Sequence, residues 1–293
     1  MTDTQGGTAE DLSVTIIIPA FNESAAIEGV INRLKELYPA YEIIVVDDGS
    51  TDRTGESAEQ AGATVIRHSW NRGYGAALRT GLQKASGRIV CTFDGDGQHV
   101  PEDLAKLLER IHEADMVVGV RSKDSHRPLC RRPGKLILSF FADFLTGTRI
   151  PDVNSGLRVF RRDVLLKYLH LMPEGFSFST TATFAFLKGG HRIAWVPVTT
   201  RRRLGKSSVS QLRHGFETLL LMLRLTALFD PLKVFLPVSV AFMLVAVGFF
   251  IANLLAGRTV PRTSIIMSVS SVTIFMMGLI MDQVAAIRRE LHK

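Results

Sequence analysis

The sequence predicts an α/β domain with a doubly wound, mostly parallel sheet, followed by an amphipathic interfacial helix and two transmembrane helices. Short β-branched runs alternate with segments of helical periodicity between about residue 12 and residue 209. Charged residues are interspersed up to Lys233, and two long uncharged apolar segments follow. The mean hydropathy of +0.17 is accordingly higher than that of an average soluble enzyme.

The globular part begins with five strand patterns that alternate with helical patterns. Residues 14–18 form a continuous apolar run ended by Pro19, as expected for a parallel strand covered on both faces. The strand pattern recurs at 42–46, 64–66, 88–93 and 115–119, and the helical patterns cover 23–37, a segment after Thr51, 73–85 and 101–112. We expect Asn22 to cap the first helix and Ser50 or Thr51 to cap the second. Repeated units of this length predict right-handed crossovers.

The chain then changes character and completes the domain. Residues 152–158 turn back into a short strand, and a helix at 180–188 and a strand at 193–198 follow. The first 11 residues form a short, polar and acidic segment, which predicts a disordered cytoplasmic tail without a secretory signal.

The C-terminal part predicts a membrane anchor. Residues 210–231 are amphipathic, a pattern typical of a helix in the headgroup plane, and 232–285 contain two uncharged runs that predict a transmembrane hairpin. Basic residues flank both ends of the hairpin and outweigh Arg258 and Arg262 in its connecting loop. The positive-inside rule therefore predicts a multi-pass protein of the cell inner membrane, with the globular domain and a basic 286–293 tail in the cytoplasm.

The distribution of basic residues indicates which kind of binding partner the protein has. The net charge is +7, but the basic residues concentrate at 121–135, at 201–206 and beside the apolar segments, without the basic and aromatic stripe of a nucleic-acid surface. Anionic lipid headgroups and phosphorylated substrates fit this distribution better. The two cysteines, Cys91 and Cys130, offer neither a disulfide framework nor metal-ligand spacing.

The stretch Asp94-Gly95-Asp96-Gly97-Gln98-His99 follows a buried strand pattern and stops before Pro101. Two carboxylates at this spacing can face one hard cation, and Mg²⁺ or Mn²⁺ so held keeps positions open for phosphate oxygens. The alternative is an ordinary strand-to-helix turn, in which Asp and Gly supply turn geometry. Because the polar clusters 19–23, 47–52 and 94–98 and Arg121 all follow strands, we expect them to converge on one crevice.

Four motifs carry a resemblance to a known family: Pro19-Ala20-Phe21-Asn22-Glu23, Val46-Asp47-Asp48-Gly49-Ser50-Thr51-Asp52, Asp94-Gly95-Asp96-Gly97-Gln98-His99 and Asp152-Val153-Asn154-Ser155-Gly156-Leu157-Arg158. Together they resemble the family 2 glycosyltransferases of GT-A fold, over roughly residues 12–210. Within that family the chain is most similar to polyprenyl-phosphate glycosyltransferases of the dolichol-phosphate mannose synthase type. The two-span hairpin resembles the bacterial undecaprenyl-phosphate glucosyltransferase branch.

The resemblance implies a role for each motif residue. The nucleotide's base and ribose would be held by Pro19, Phe21, Glu23 and Asp48, and the metal and sugar-diphosphate by Asp94, Asp96 and Gln98, with Arg121 nearby. It places Asp152, Ser155 and Arg158 near the sugar and the acceptor phosphate. Residues Arg202, Gly205 and Ser207 match the family's R-x-x-G-x-S loop. That loop usually continues with a lysine, whereas here Ser208 stands there and Lys206 precedes it, so Arg202, Arg203 and Lys206 all remain candidates for the phosphate contact.

The resemblance also implies a reaction: inverting transfer of a sugar from a UDP- or GDP-linked donor to a polyprenyl phosphate, with Mg²⁺ or Mn²⁺ as cofactor and a homo-oligomer, a tetramer, as the assembly. A phosphate monoester with a second pKa of about 6 is already a nucleophile at neutral pH. Arg131 or Arg132, together with Arg202, are candidates for holding it, since arginine offers a bidentate fork. Asp152 would orient the nucleophile or contact the sugar hydroxyls, and the motifs fit glucose, mannose, N-acetylhexosamine and modified pentose donors alike.

Two other functions are consistent with parts of the sequence. A processive polysaccharide synthase shares the first half, but the sequence has no Q-x-x-R-W motif. A non-catalytic membrane scaffold or lipid carrier would need only the hairpin, and the acidic cluster at 94–98 argues against it.

Overall fold

The computed structural model describes residues 13–121, 143–144, 147–153, 155–175, 177–201, 220, 223–224 and 226–291. The described residues fall into two compact units, one built from 13–121 and 149–201 and the other from 143–148 and 220–291. The predicted N-terminal tail and most of the amphipathic segment at 210–231 lie outside the described residues.

The first unit alternates strands and helices in the predicted order. Its strands are β1 (Val14–Ala20), β2 (Glu42–Asp47), β3 (Thr64–Arg67), β4 (Ile89–Thr92), β5 (Met116–Arg121), β6 (Arg158–Arg161) and β7 (Ile193–Val198). Its helices are α1 (Ile27–Leu37), α2 (Thr54–Gln60), α3 (Tyr74–Lys84), α4 (Asp103–Arg110), α5 (Arg162–Lys167) and α6 (Phe178–Lys188), with a 3₁₀ turn at Leu169–Leu171.

The seven strands form one sheet in the order β3-β2-β1-β4-β6-β5-β7. All neighbouring pairs are parallel except those of β6, which runs antiparallel between β4 and β5. The prediction of a mostly parallel, doubly wound sheet is confirmed, and the strand predicted to turn back after residue 152 is β6. Its insertion brings the Asp152–Gly156 segment to the carboxyl end of β4, because antiparallel strands place the start of one beside the end of the other.

The core lies on both faces of the sheet. Ile16 and Ile18 of β1 belong to a buried cluster with α1 and α4, whereas Ile17 points to the opposite face and joins a cluster with α3 and α6. Helix α3 lies so close to β1 that a Cβ added to Gly81 would be 2.4 Å from Cγ2 of Ile17. This double coverage explains the continuous apolar runs that predicted the strands.

The predicted helix caps are wrong. Asn22 adopts a left-handed φ of 56°, and α1 begins only at Ile27 without a side-chain cap. The Asn22 side-chain oxygen accepts a hydrogen bond from the Thr51 backbone N–H at 2.8 Å. Helix α2 begins at Thr54, whose N–H donates to Asp52 Oδ1 at 3.0 Å. The capping side chains are used to join two neighbouring loops, a long-range contact that local propensity cannot indicate.

The second unit contains a pair of long apolar helices, α7 (Leu232–Leu255) and α8 (Arg262–Leu291). Both are long and apolar enough to cross a membrane, as predicted. Ser264 Oγ donates to the Ala246 carbonyl and Ser271 Oγ to the Ser239 carbonyl, each at 2.7 Å. The seven-residue spacing on each helix keeps these small residues on one face, so the antiparallel pair packs closely along that seam.

We expect Ser271→Leu to destabilise the helical hairpin by about 1–3 kcal/mol, because the larger side chain must enter a closely packed seam. Ser271→Ala should cost only about 0.6 kcal/mol, the typical worth of a hydrogen bond between transmembrane helices. Denaturant titration of the detergent-solubilised protein measures both. Val272→Leu is the matched control, since Val272 is 54% exposed on the outer face. Equal stability of the two leucine variants would contradict this packing.

Candidate active site

The loops after β1 and β2 are joined into one wall of the crevice. The backbone N–H of Asn22 donates to Ser50 Oγ at 3.0 Å, and that of Glu23 donates to Thr54 Oγ1 at 2.8 Å. Of the residues predicted to hold the nucleotide, Pro19 is buried within β1, whereas Phe21 and Glu23 are partly exposed. The convergence predicted for these two clusters is therefore present.

Asp48 organises a loop that sequence reasoning missed. Its buried carboxylate accepts backbone hydrogen bonds from Arg72 at 2.9 Å and Gly73 at 2.7 Å, and it lies 2.6 Å from His68 Nδ1. A Cβ on Gly49 would lie 2.5 Å from the Trp70 backbone, so the 68–73 loop rests directly on the turn after β2. Asp48 thus fixes the 68–73 loop in addition to the nucleotide role implied by resemblance. The sequence signal was the Asn-Arg-Gly turn just before α3.

Asp94 lies at the carboxyl end of β4 and is held from two sides. Tyr74 Oη donates to Asp94 Oδ1 at 3.0 Å, and His99 Nε2 lies 3.3 Å from Oδ2. Burial alone would raise the pKa of the Asp94 carboxyl, but the hydrogen bonds from His99 and Tyr74 and the charge of Arg121 outweigh it and lower that pKa. Asp94 is therefore ionised at neutral pH.

Asp96 and Gln98 follow on the same turn. Asp96 is 9% exposed, and its Oδ1 accepts a hydrogen bond from the Gln98 backbone N–H at 3.0 Å. The carbonyl of Gln98 in turn accepts from the Arg201 backbone N–H at 2.8 Å, so the residue before the R-x-x-G-x-S segment is tied to this turn. Gly97 supports the sharp bend with a φ of 72°.

The donor set fits a hard divalent cation. Carboxylate and amide oxygens of Asp94, Asp96 and Gln98 are the ligand type that Mg²⁺ and Mn²⁺ accept. Within the described part of the chain, no group of three or more His, Cys, Asp and Glu side chains could enclose a metal alone. An ion at this turn would therefore depend on additional oxygens, as expected where a substrate diphosphate completes the coordination.

Arg121 and Asp152 form a bidentate ion pair beside this turn. Arg121 Nε donates to Asp152 Oδ2 at 2.7 Å and Nη2 donates to Oδ1 at 2.9 Å. The Asp152 side chain is 4% exposed and that of Arg121 is 36% exposed. These hydrogen bonds raise the pKa of the Arg121 guanidinium, which stays charged. Asp152 therefore orients Arg121 in this structure, and the Arg121 side chain remains partly exposed.

Arg158 is a buried residue that holds neighbouring backbone carbonyls in place. It is fully buried, and its guanidinium donates to the carbonyls of Val153 and Ser155 at 2.9 and 2.8 Å and to Thr183 Oγ1 at 2.8 Å. Burial lowers the pKa of Arg158 to about 10, so it remains charged at neutral pH. The expected contact with sugar or acceptor phosphate is not the arrangement seen here, because these hydrogen bonds all go to the protein.

The remaining candidates divide into two groups. Ser155 is buried beside Arg158, and its Oγ has no hydrogen-bond partner among the described residues. Arg131, Arg132, Arg202, Arg203, Lys206 and Ser207 lie outside the described residues. The described candidates therefore comprise the joined loops after β1 and β2 and the acidic turn, with the Arg121–Asp152 pair beside it.

A mostly parallel sheet of this order, with an acidic turn after β4, agrees with the GT-A fold that the motifs predicted. The chain belongs to glycosyl transferase family 2, whose family model matches residues 15–169. A second model, the GtrB C-terminal hairpin, matches residues 230–287. The resemblance predicted from the four motifs is confirmed.

Two relatives agree with this membership, and a solved structure agrees with the fold. The chain is 32% identical over 215 residues to the undecaprenyl-phosphate mannosyltransferase of Micrococcus luteus, covering 68% of this chain and 88% of that protein. It is 34% identical over 218 residues to the UDP-N-acetylglucosamine–dolichyl-phosphate N-acetylglucosaminyltransferase of Methanococcus voltae, covering 65% and 86%. A solved structure with a similar fold is glucosyl-3-phosphoglycerate synthase from Mycobacterium tuberculosis, which has been solved with Mn²⁺ and UDP and also with Mg²⁺ and UDP. The Mn²⁺ complex superposes on this chain with a TM-score of 0.61 at 21% identity and covers 77% of this chain and 86% of that one. At this identity the likeness concerns the fold alone, and it confirms the predicted architecture.

Proposed function

We propose that this family 2 glycosyltransferase moves a sugar from a nucleoside diphosphate donor to a polyprenyl phosphate. The observation that carries the proposal is the oxygen-donor turn at 94–98, beside the partly exposed Arg121, in a chain that also has two membrane-length helices. The two relatives support the acceptor class, since the names of both give a polyprenyl phosphate although their sugars differ. The products would be a lipid-linked monosaccharide and a nucleoside diphosphate.

Metal dependence is part of the proposal. Asp96 and Gln98, with Asp94, would hold Mg²⁺ or Mn²⁺, whose charge would stabilise the departing diphosphate. The structural neighbour's complexes with UDP and either ion support this choice. Pro19, Phe21, Glu23 and Asp48 would line the nucleotide side of the crevice.

The chain's own residues would supply orientation and charge. Arg121 would stabilise negative charge on the leaving diphosphate, held in place by Asp152 through their paired hydrogen bonds. The acceptor phosphate needs little activation, because its second pKa of about 6 leaves it largely ionised. A single in-line displacement at the anomeric carbon would then invert its configuration, with Arg131, Arg132 or Arg202 holding the acceptor.

The location follows from the same features. The two apolar helices would anchor the protein in the inner membrane, close to the lipid acceptor. The basic flanks of the hairpin favour a cytoplasmic catalytic domain, where nucleotide sugars are made.

A donor panel tests the proposal. The purified full-length protein is given a short polyprenyl phosphate and UDP- or GDP-linked glucose, mannose, N-acetylglucosamine or a modified pentose, and lipid-linked sugar is measured by mass spectrometry. We expect one donor or a chemically related pair to be turned over. Equal, background-level signal with every donor would contradict the transferase assignment.

We expect excess chelator to reduce sugar transfer at least about 100-fold, because charge on the leaving diphosphate would lose its main stabilisation. Adding back Mg²⁺ or Mn²⁺ should restore the rate, whereas Ca²⁺, which prefers longer bonds and more ligands, should restore less. Initial rates after chelation and after each addition measure this. Full activity in excess chelator would contradict the metal requirement.

A further inference from the structure

The Asp94 carboxylate is enclosed by three residues outside its own turn position, Tyr74, His99 and Gly156. We propose that Tyr74, which lies outside the four motifs, and His99, the motif residue to which the resemblance gives no role, are positioning residues that hold Asp94 in the orientation required for binding the metal–nucleotide complex. The inference rests on the proposed function, because it takes the 94–98 turn as the metal site. Each residue approaches the carboxylate from a different element of the fold.

Tyr74 is the first residue of α3 and contacts Asp94 just after the carboxyl end of β4. Its hydroxyl donates to Asp94 Oδ1 at 3.0 Å, and it also hydrogen-bonds Ser179 of α6. A carboxylate oxygen can only accept, so the Tyr74 hydroxyl is the donor of the hydrogen bond to Asp94.

His99 approaches the other oxygen of Asp94. Its side chain is 5% exposed, and Nε2 lies 3.3 Å from Asp94 Oδ2. The ring packs edge-on against Phe93, with centroids 6.0 Å apart, and its backbone forms a bridge with Thr200. Because ring and backbone are both held, His99 cannot turn away from Asp94 without breaking packing.

Gly156 closes a third side. A Cβ at this position would lie 2.2 Å from Asp94 Oδ2, so any larger residue would displace the carboxylate. The Gly156 carbonyl is itself fixed by Thr92 Oγ1, which donates to it at 2.6 Å. The carboxylate is thus enclosed by α3, by its own loop and by the segment leading into β6.

This enclosure has a functional consequence for the neighbouring donors. Among the described residues, Tyr74 contacts one Asp94 oxygen and His99 the other. A carboxylate has about four lone-pair sites, so it can still face a cation while its rotation is blocked. Partners of this kind orient metal ligands, and their loss typically weakens metal affinity about 10- to 100-fold. Asp96 and Gln98 would then complete a donor set whose geometry depends on Tyr74 and His99.

Mn²⁺ binding tests the proposal directly. The full-length protein in detergent is titrated with Mn²⁺ in the presence of UDP, and free Mn²⁺ is followed by electron paramagnetic resonance. We expect Tyr74→Phe and His99→Leu each to weaken Mn²⁺ binding about 10-fold or more, and His99→Gln, which keeps a donor in that direction, to recover part of the loss. Affinities within about twofold of wild type in both Tyr74→Phe and His99→Leu would overturn the proposal.

Tyr168→Phe is the matched control. Tyr168 Oη lies 3.0 Å from His191 Nε2, and His191 Nδ1 lies 3.4 Å from Asp115, so the same types of side chain meet outside the crevice. This variant should bind Mn²⁺ as wild type does, which separates positioning from the general loss of a tyrosine hydroxyl. An equal loss in Tyr168→Phe would overturn the specific role of Tyr74.

A double substitution shows whether Tyr74 acts through Asp94. In an Asp94→Asn background, Tyr74→Phe should cause little further loss of Mn²⁺ affinity, since contacting residues couple. Additive losses would contradict action through Asp94. Wild-type protein that binds no Mn²⁺ with UDP would instead contradict the proposed metal-dependent function, so the two failures are distinguishable.

Discussion

Asp96→Asn is expected to reduce sugar transfer at least about 100-fold while leaving the fold intact. Asparagine keeps an oxygen that can accept the Gln98 N–H, so the turn should form, but the negative charge that attracts the cation is lost. Initial rates at saturating donor and a Mn²⁺ titration measure the effect. We expect added Mn²⁺ to restore only part of the rate.

Asp163→Asn is the control for Asp96→Asn, because Asp163 is exposed on α5. It should transfer sugar at the wild-type rate. Wild-type transfer by Asp96→Asn at limiting Mn²⁺ would show that the 94–98 turn only shapes the backbone.

Arg158→Met is expected to destabilise the protein by about 3–5 kcal/mol, because two buried oxygen acceptors and one partly buried acceptor lose their donor at once. This corresponds to a fall in melting temperature of roughly 10 °C. Arg158→Lys should restore little, since a lysine ammonium cannot reproduce the planar fork that reaches all three oxygens. Thermal unfolding of the full-length protein measures each variant.

Arg192→Met provides the comparison for Arg158→Met, since Arg192 is an exposed arginine at the start of β7. Its melting temperature should stay within about 2 °C of wild type. A stable Arg158→Met protein whose KM for the lipid acceptor alone had risen would return Arg158 to the substrate-contact role that the resemblance implies.

The sheet was predictable from sequence because its strands are buried on both faces. Continuous β-branched runs such as that of β1 have few other stable environments, and their alternation with helical segments favours one class of fold. The place of β6 between β4 and β5 was not predictable in this way. Strand order depends on contacts between residues distant in sequence, such as Thr92 Oγ1 with the carbonyl of Gly156.

The helix starts show how long-range contacts override local preference. Asn22 and Ser50 have good capping side chains, and sequence alone assigns them to the nearest helix. In the folded chain Asn22 bonds Thr51 instead, and its own N–H donates to Ser50. Both contacts exist only after β1 and β2 have paired, so no local pattern reports them.

The candidate site also has a part that was predictable from the sequence and a part that was not. Asp94, Asp96, Gln98 and Arg121 follow strands, and a sheet of this type brings strand ends together, so their convergence was predictable. Tyr74 was not, because its hydroxyl meets a carboxylate that is 20 positions away. Arg158 has a charged side chain that suggests a substrate contact, and only its complete burial reveals its supporting role.

The acceptor tests the account most directly. The full-length protein, its preferred nucleotide sugar carrying a radioactive label and Mg²⁺ or Mn²⁺ are incubated with undecaprenyl phosphate, with 3-phosphoglycerate or with no acceptor, and label is counted in the organic and aqueous phases. We predict acid-labile label in the organic phase with undecaprenyl phosphate only. Transfer to 3-phosphoglycerate without transfer to the lipid, or no dependence on either acceptor, would contradict the account.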